Sequence, residues 1–280
     1  MRHVNIDGDV ICYAVGFAGE TSMYFDKNDV GYGGKREAIN AGVDSDDLTK
    51  VTTAEPVHYV LSTAKRMIAN IVKACEADTY NVILTGKGNF REKVATLQPY
   101  KGNRSQPKPL LHAEIREYIT KYQNAVTVDG EEADDYLAYS AVASGDIIAT
   151  IDKDLLNVAG LHYNWNKPDD GVFNVTQREA SVNFYTQLLT GDATDNIPGL
   201  FRLTGQRATA VLKKAVREAD DEIGMYAIVL DVYADSIMAQ GEGYDAAYTK
   251  AEEMLAEIGQ LLWMRHTPNE TWTPPTGNTL

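Results

Sequence analysis

"AVTVDGEEADDYLAYSAVASGDIIATIDKDLL", residues 125–156, decides the fold. Two short β-rich runs, "AVTV" (125–128) and "IIATI" (147–151), flank a stretch over 134–143 that reads as an amphipathic helix. That helix opens on acidic residues, which suit the positive end of a helix dipole. Strand, helix and strand in this order predict a parallel α/β sheet. Further out, "HVNI" (3–6), "NVILT" (81–85) and "LHYNW" (161–165) supply more strands. Residues 57–77 carry Val60, Leu61, Ala64, Met67, Ile68, Ile71 and Val72, an i, i+3, i+4, i+7 stripe of a helix, and 112–123 reads as another. After about residue 176 the strand signal fades, and helices are predicted through Trp263. The chain thus divides into an α/β core over 1–176 and a helical region over 177–280.

Two stretches look unlike core. Residues 26–56 are rich in Gly, Asp and Thr and read as a loop or weakly ordered excursion. "TLQPYKGNRSQPKP" (96–109) carries three prolines among basic and polar residues and is predicted to cross the surface. The tail "HTPNETWTPPTGNTL" (266–280) is irregular, with Trp272 as its anchor.

The 280 residues can bury a sizeable core, and an apolar content of 44% is that of a globular protein. No apolar run approaches the roughly 20 residues of a membrane helix. An acidic residue at position 7 of "MRHVNIDGD" predicts no secretory leader. Cys12 and Cys75 form no CxxC pair, as expected for free thiols in a reducing cytoplasm. The net charge of −14 argues against a general nucleic-acid binder, yet it hides local reversals. Residues 86–123 hold eight Lys or Arg against three Glu, and 202–217 hold five basic residues and no acid. Such patches on an acidic body can hold a polyanion, or can be solvated helix faces.

The acids are informative by position. Asp7 follows the first strand, Glu132 the "AVTV" run, and Asp152 the "IIAT" run. In an open parallel sheet the carboxyl ends of the strands form the ligand crevice. Glu132 and Asp135 are three apart at a helix start with Asp134 between, Asp152 and Asp154 are two apart, and "LLTGDATDNIPG" (188–199) sets Asp192 and Asp195 three apart. Each cluster alone reads equally as a capped turn or helix start. Together, eight carboxylates converge on one groove. Two like charges 4 Å apart repel by about 4 kcal/mol at an effective dielectric of 20, which bound cations offset. Oxygen-only ligands select Mg²⁺ or Mn²⁺, and two such ions can activate a water and stabilise the leaving oxygen of a phosphodiester. The five histidines are scattered, so neither zinc nor a Ser or Cys nucleophile with a His base is supported.

"IDGD", "FREKVATLQPYKGNR", "EEADD", "TIDKDLL" and "LTGDATDNIPG", in that order over residues 4 to about 212, resemble the 5′ nucleases. These are the flap endonucleases and 5′→3′ exonucleases of bacterial polymerases and phages, and the wording is most similar to tailed-phage exonucleases. The resemblance implies a PIN-like central parallel sheet with flanking helices and a C-terminal helical region holding a degenerate helix–turn–helix. It implies Mg²⁺-dependent hydrolysis of DNA, and sometimes RNA, from a 5′ end or flap, leaving 5′-phosphates. It places Asp7, Glu132, Asp134 and Asp152 on one metal group and Asp154, Asp192 and Asp195 on the other, with Asp135 supporting from behind. Lys101 and Arg104 of "PYKGNR" match the basic pair that reaches the scissile phosphate, and Tyr100 would stack on a terminal base or else pack on a helix. The basic segment 86–123 corresponds to an arch. Arg91, Arg202, Arg207, Lys213 and Lys214 are the expected DNA contacts, with an RNA–DNA hybrid as a further partner.

Two departures stand out. Relatives carry an aspartate where this chain has Gly86, so one metal binds more weakly or Asp9 compensates; the plainer reading of Asp9 is an exposed turn acid. After "NIPG", "LFRLTGQRATAVLKKA" keeps only Gly205 of a Gly-x-Gly hairpin, which puts a K⁺ site in doubt. Alternatives are a PIN-type ribonuclease, a structure-specific DNA-binding protein with an impaired site, and, from "DGD", a phosphatase.

Overall fold

In the computed structural model, which describes residues 1–276, six strands form one sheet in the order β6-β5-β1-β7-β8-β9. The last four residues of the irregular tail lie outside the described ones. The strands are β1 (His3–Asp7), β5 (Thr79–Asn89), β6 (Ala125–Gly130), β7 (Ile147–Ala149), β8 (Gly160–Tyr163) and β9 (Val172–Val175). All neighbours pair in parallel except β8 and β9, which run antiparallel at the edge. The five predicted strands are therefore present, and the expected parallel sheet is the scaffold. β9 has no counterpart in the sequence reading.

The excursion at 26–56 is ordered differently from expectation. β2 (Glu20–Phe25), β3 (Gly31–Tyr32) and β4 (Thr49–Ala54) make a small antiparallel sheet of order β3-β2-β4, with helix α2 (Lys35–Asn40) beside it. Its strands alternate exposed and half-buried residues and leave Met23 and Val51 on the surface, so no apolar run marks them.

Helices cover both faces of the large sheet. α1 (Gly8–Ala18), α3 (Val57–Ala74) and α5 (His112–Tyr122) bury Ile11, Ile68 and Ile115 against Val4, Ile6 and Val82. The buried residues of α3 are Val60, Ala64, Ile68 and Ile71, the stripe expected from the sequence. On the other face α6 (Ala133–Ser144) packs Leu137 and Ala138 on Ile83 and Ile148. The short α4 (Arg91–Val94) leads into the proline-containing segment.

Past residue 176 the chain is helical, as expected: α7 (Gln177–Thr190), α8 (Leu200–Thr204), α9 (Ala210–Glu218), α10 (Glu222–Met238) and α11 (Tyr244–Leu262). They bury their own apolar cluster, including Phe184, Leu188, Val229, Tyr233 and Leu255. Trp272 anchors the tail as expected. Its indole lies where a Cβ on Gly259 would come within 2.1 Å, so only glycine in α11 admits the ring.

Candidate active site

The ends of β1, β6 and β7 lead into the acids. Asp7 closes β1 and caps α1: its Oδ1 accepts from Val10 N at 3.0 Å and its Oδ2 from Thr150 Oγ1 at 2.8 Å. Burial pushes its carboxyl up to about 7, helped by the charges of Asp9 and Asp152. Asp152 follows β7 and caps the 3₁₀ turn Lys153–Asn157, accepting from Asp154 N at 2.9 Å. Glu132 caps α6, and Asp134 lies in that helix's first turn. Burial, then Asp7, Glu132 and Asp152, hold Asp134 well above the usual carboxylate range.

The second cluster rests on a loop that glycine makes possible. Gly191 has φ +66°, and a Cβ there would meet Gly199 N at 2.4 Å; one on Gly199 would meet the Thr190 carbonyl carbon at 2.2 Å. The loop closes with Asp192 N donating to Ile197 O at 3.0 Å and Ile197 N to Asp192 O at 2.7 Å. Asp192 Oδ1 then accepts from Thr194 N at 2.6 Å. The carboxylates of Asp192 and Asp154 interact side chain to side chain. Burial, then the contact with Asp192, pushes Asp154 up to about 8. Burial also acts to raise Asp192, but Asp154 and the loop amides outweigh it and hold it low. Gln187 Nε2 donates to Asp154 at 2.9 Å, a positioning contact that sequence reasoning missed although Gln187 lies one turn before the glycine.

The basic segment docks on this loop turn against turn. Lys101, with φ +56°, donates its backbone N–H to Asp195 O at 2.8 Å. Asn103 Nδ2 donates to Ala193 O, and Asn196 Nδ2 to Pro99 O at 2.8 Å. The side chains follow: Lys101 pairs with Glu132, Arg104 NH2 bonds Asp195 Oδ1 at 2.6 Å, and Tyr100 Oη lies 2.8 Å from Glu132 and 2.7 Å from Asp195. The Tyr100 hydroxyl has one proton to donate, so it serves these carboxylates alternately. Tyr100 also packs on the helical core, which is the helix-packing role, and is half-buried where it lines the cavity that these groups enclose. Burial and then Glu132 raise its phenol far above the usual value.

One cavity of about 110 Å³ results, lined by Glu132, Asp134, Asp152, Asp154, Asp192 and Asp195 together with Tyr100, Lys101 and Arg104. Six of the eight predicted acids thus share a single space at the carboxyl ends of the strands. Asp7 lies behind Thr150, 1% exposed. Asp135 turns the other way. Its carboxylate takes two bonds from Arg91, at 2.6 and 2.9 Å. Arg91 was expected among the DNA contacts, but it is 1% exposed and also donates to Leu261 O and Trp263 O. Burial acts to lower the affinity of its guanidinium for the proton, and Asp135 raises it further than that. Arg265, unmarked by any motif, stacks 3.7 Å over Phe90 and donates to Glu131 at 2.8 Å.

The donor set suits a hard divalent cation in kind: carboxylates only, of which Asp7, Asp134 and Asp154 hold protons unusually tightly because they are buried and crowded by other acids. Among the described residues no three of them stand at ligand spacing around one point. Glu132 and Asp195 are held by Lys101 and Arg104 instead.

Gly86 sits in β5 where a Cβ would meet Asp129 Oδ1 at 2.1 Å and Val128 O at 2.5 Å. No side chain fits without displacing β6. Asp9 does not take its place as a free ligand: its carboxylate accepts from Thr85 N at 3.0 Å and pairs with Arg116 at 3.0 Å.

The expected duplex contacts are dispersed. Arg202 NH2 bonds Asn196 at 2.9 Å and also Gln98, clamping the acidic loop to the basic segment. Arg207 lies 5.4 Å over the exposed Phe201 ring, Lys214 pairs with Glu218 at 3.5 Å, and Lys213 is half-buried. α8 and α9 stand either side of a short connection over 205–209. No helix among the described residues is long and apolar enough to cross a membrane.

By sequence, no family model and no curated protein matches the chain. By structure it is similar to bacteriophage T5 flap endonuclease in a pseudo-enzyme–product complex with DNA and metal ions, with a TM-score of 0.44 and 17% identity, over 91% of this chain and 99% of that one. It is also similar to T5 5′-exonuclease with bound zinc ions, with a TM-score of 0.42 and 17% identity, over 92% and 100%.

Proposed function

We propose that this chain is a divalent-metal-dependent 5′ nuclease, hydrolysing DNA phosphodiesters at a 5′ end or flap and leaving 5′-phosphates. The observation that carries the reading is the single cavity in which six carboxylates from three separate chain segments meet Lys101 and Arg104. Acids so concentrated at strand ends lower stability unless cations share the space, and a polyanion needs such cations to approach them. The sequence motifs that carry these residues are those of the 5′ nucleases.

Asp7, Glu132, Asp134 and Asp152 would hold one Mg²⁺ or Mn²⁺, and Asp154, Asp192 and Asp195 a second. Bound there, the ions would lower the pKa of a water and stabilise charge on the leaving oxygen. The chain's own groups do the rest. Lys101 and Arg104 leave Glu132 and Asp195 for the phosphate, where the Arg104 fork can bind two oxygens and neutralise charge that grows toward the transition state. Thr150 and Gln187 hold Asp7 and Asp154 in place. Water attacks phosphorus, the P–O3′ bond breaks, and the 3′-oxygen takes the proton. Arg207, Lys213 and Lys214 would track the duplex backbone beyond.

The test is 5′-labelled flap, linear duplex and closed-circular DNA, with Mg²⁺ and with EDTA, beside Asp152→Asn. Mg²⁺-dependent cleavage near the 5′ end that the variant loses is the expected outcome, and product lengths separate exonuclease from flap cutting. Retained flap binding with no turnover favours the second reading, a structure-specific binder, which the absence of room for an acid at Gly86 supports. Preference for RNA over DNA would instead indicate a ribonuclease.

A further inference from the structure

A second, larger cavity of about 570 Å³ opens beside the acids, within the roughly 300–1,000 Å³ range of small-ligand pockets. It lies between the end of β7 and the connection from β8 to β9. Because β9 turns back antiparallel, that connection rises past the carboxyl ends of the parallel strands and walls the crevice at the sheet edge. Asp152 and Lys153 line both cavities and form the partition between them.

We propose that this cavity binds one nucleotide unit of the DNA strand, next to the bond being cut, with its base on Phe173 and its phosphate between Lys153 and Lys167. The proposal rests on the nuclease reading for the presence of DNA in the groove. Phe173 is half-buried and lines the cavity, and its ring is backed by His162, directly opposite it in register. The two rings stack at 5.8 Å and 24°. His162 is 2% exposed and tied to Val158 O at 2.9 Å, so Phe173 rests on a fixed surface, as a stacking platform requires. Lys153 and Lys167 stand exposed on the rim. Polar recognition of a base edge is also in place. Asn164 uses its Oδ1 to accept from Asn166 N at 2.9 Å, which leaves its amide N–H groups to donate, and Asp170 supplies an acceptor. An apolar wall with a few convergent polar groups and two cations is the chemistry of a nucleotide site, and the shared partition puts its occupant one unit from the metal acids.

The experiment scans a single abasic nucleotide along a 5′-flap oligonucleotide and reads binding by fluorescence anisotropy in EDTA, so that no cleavage is needed. One abasic position beside the flap junction should weaken binding to the wild type about 5- to 150-fold, the effect of losing a base–aromatic stack. Phe173→Ala and the volume-preserving Phe173→Leu should be insensitive to that position, and Lys167→Glu should bind the intact strand more weakly. A flat scan, or a position effect that survives in folded Phe173→Leu, overturns the proposal. Competition by free dAMP, lost in Phe173→Leu, would show that the site also takes the released mononucleotide; a position effect without competition assigns it to the strand alone. If the abasic signature stands but Mg²⁺ gives no cleavage, the nuclease reading fails and the site remains.

Discussion

At Gly86 the backbone of β6 approaches so closely that the residue must lack a side chain. Introducing the aspartate that the sequence resemblance leads one to expect there should therefore harm the fold. Gly86→Asp is expected to destabilise by about 1–3 kcal/mol through overpacking and to leave Mg²⁺-dependent activity no higher, as thermal unfolding and cleavage rates will check. Two acids, one in the cavity and one buried behind it, behave in the opposite sense. Asp154 and Asp7 bind protons more tightly folded than unfolded, so their contribution to stability is full below the ordinary carboxylate value of 3.8. It is lost as pH rises through about 7 at Asp7 and about 8 at Asp154. The melting temperature in EDTA should fall between pH 5 and pH 8.5, and Mg²⁺ should restore more of it at the upper end. Asp154→Asn keeps a hydrogen bond to Asp192 without the charge. It should flatten that profile and raise the pH 8.5 melting temperature by several degrees, on the order of 1–3 kcal/mol, while cleavage is lost.

At the scale of elements, α6 carries Glu132 and Asp134 into the cavity and is held from behind by the Arg91–Asp135 pair. Arg91→Met would strand a buried carboxylate and is expected to destabilise by about 3–5 kcal/mol, whereas adding Asp135→Leu should recover much of that in denaturant titrations. The acids themselves were legible because Asp7, Glu132 and Asp152 each come after an apolar strand and Asp192 comes after the apolar end of α7, and an apolar run followed by Asp or Glu is visible without a structure. Arg91 was misread as a surface cation for a reason equally local. Its partners Asp135, Leu261 and Trp263 are 44 to 172 residues away, and nothing in "FREKV" announces burial. The same distance hid the turn-on-turn contact of 99–104 with 192–196. β2 and β4 escaped because many of their side chains face solvent and the strands read "ETSMYF" and "TKVTTA", with no apolar run.

For the whole molecule, charge and core make separate demands. A body of net charge −14 repels DNA, so binding must rest on local Lys and Arg contacts to phosphates, and those contacts should make it weaken with salt. Replacing both Lys101 and Arg104 by Ala should lessen the slope of log K against log salt by about 2 if both reach phosphates, as anisotropy over a salt series will show. Trp272→Ala should destabilise by about 3–5 kcal/mol, since the indole packs on Phe184 and Tyr226 across the helical core. The carbonyls of Leu261 and Trp263 and the backbone N–H of Arg265 reach back to Arg91 and Asp135, behind the helix that bears Glu132. Those residues leave the ribosome after every acid of the cavity has been made. A nascent chain can therefore close its sheet early, yet it lacks the brace behind α6 until this late stretch emerges. Synthesis order alone would then keep the acidic cavity of a half-made chain unbraced until its last helix is complete.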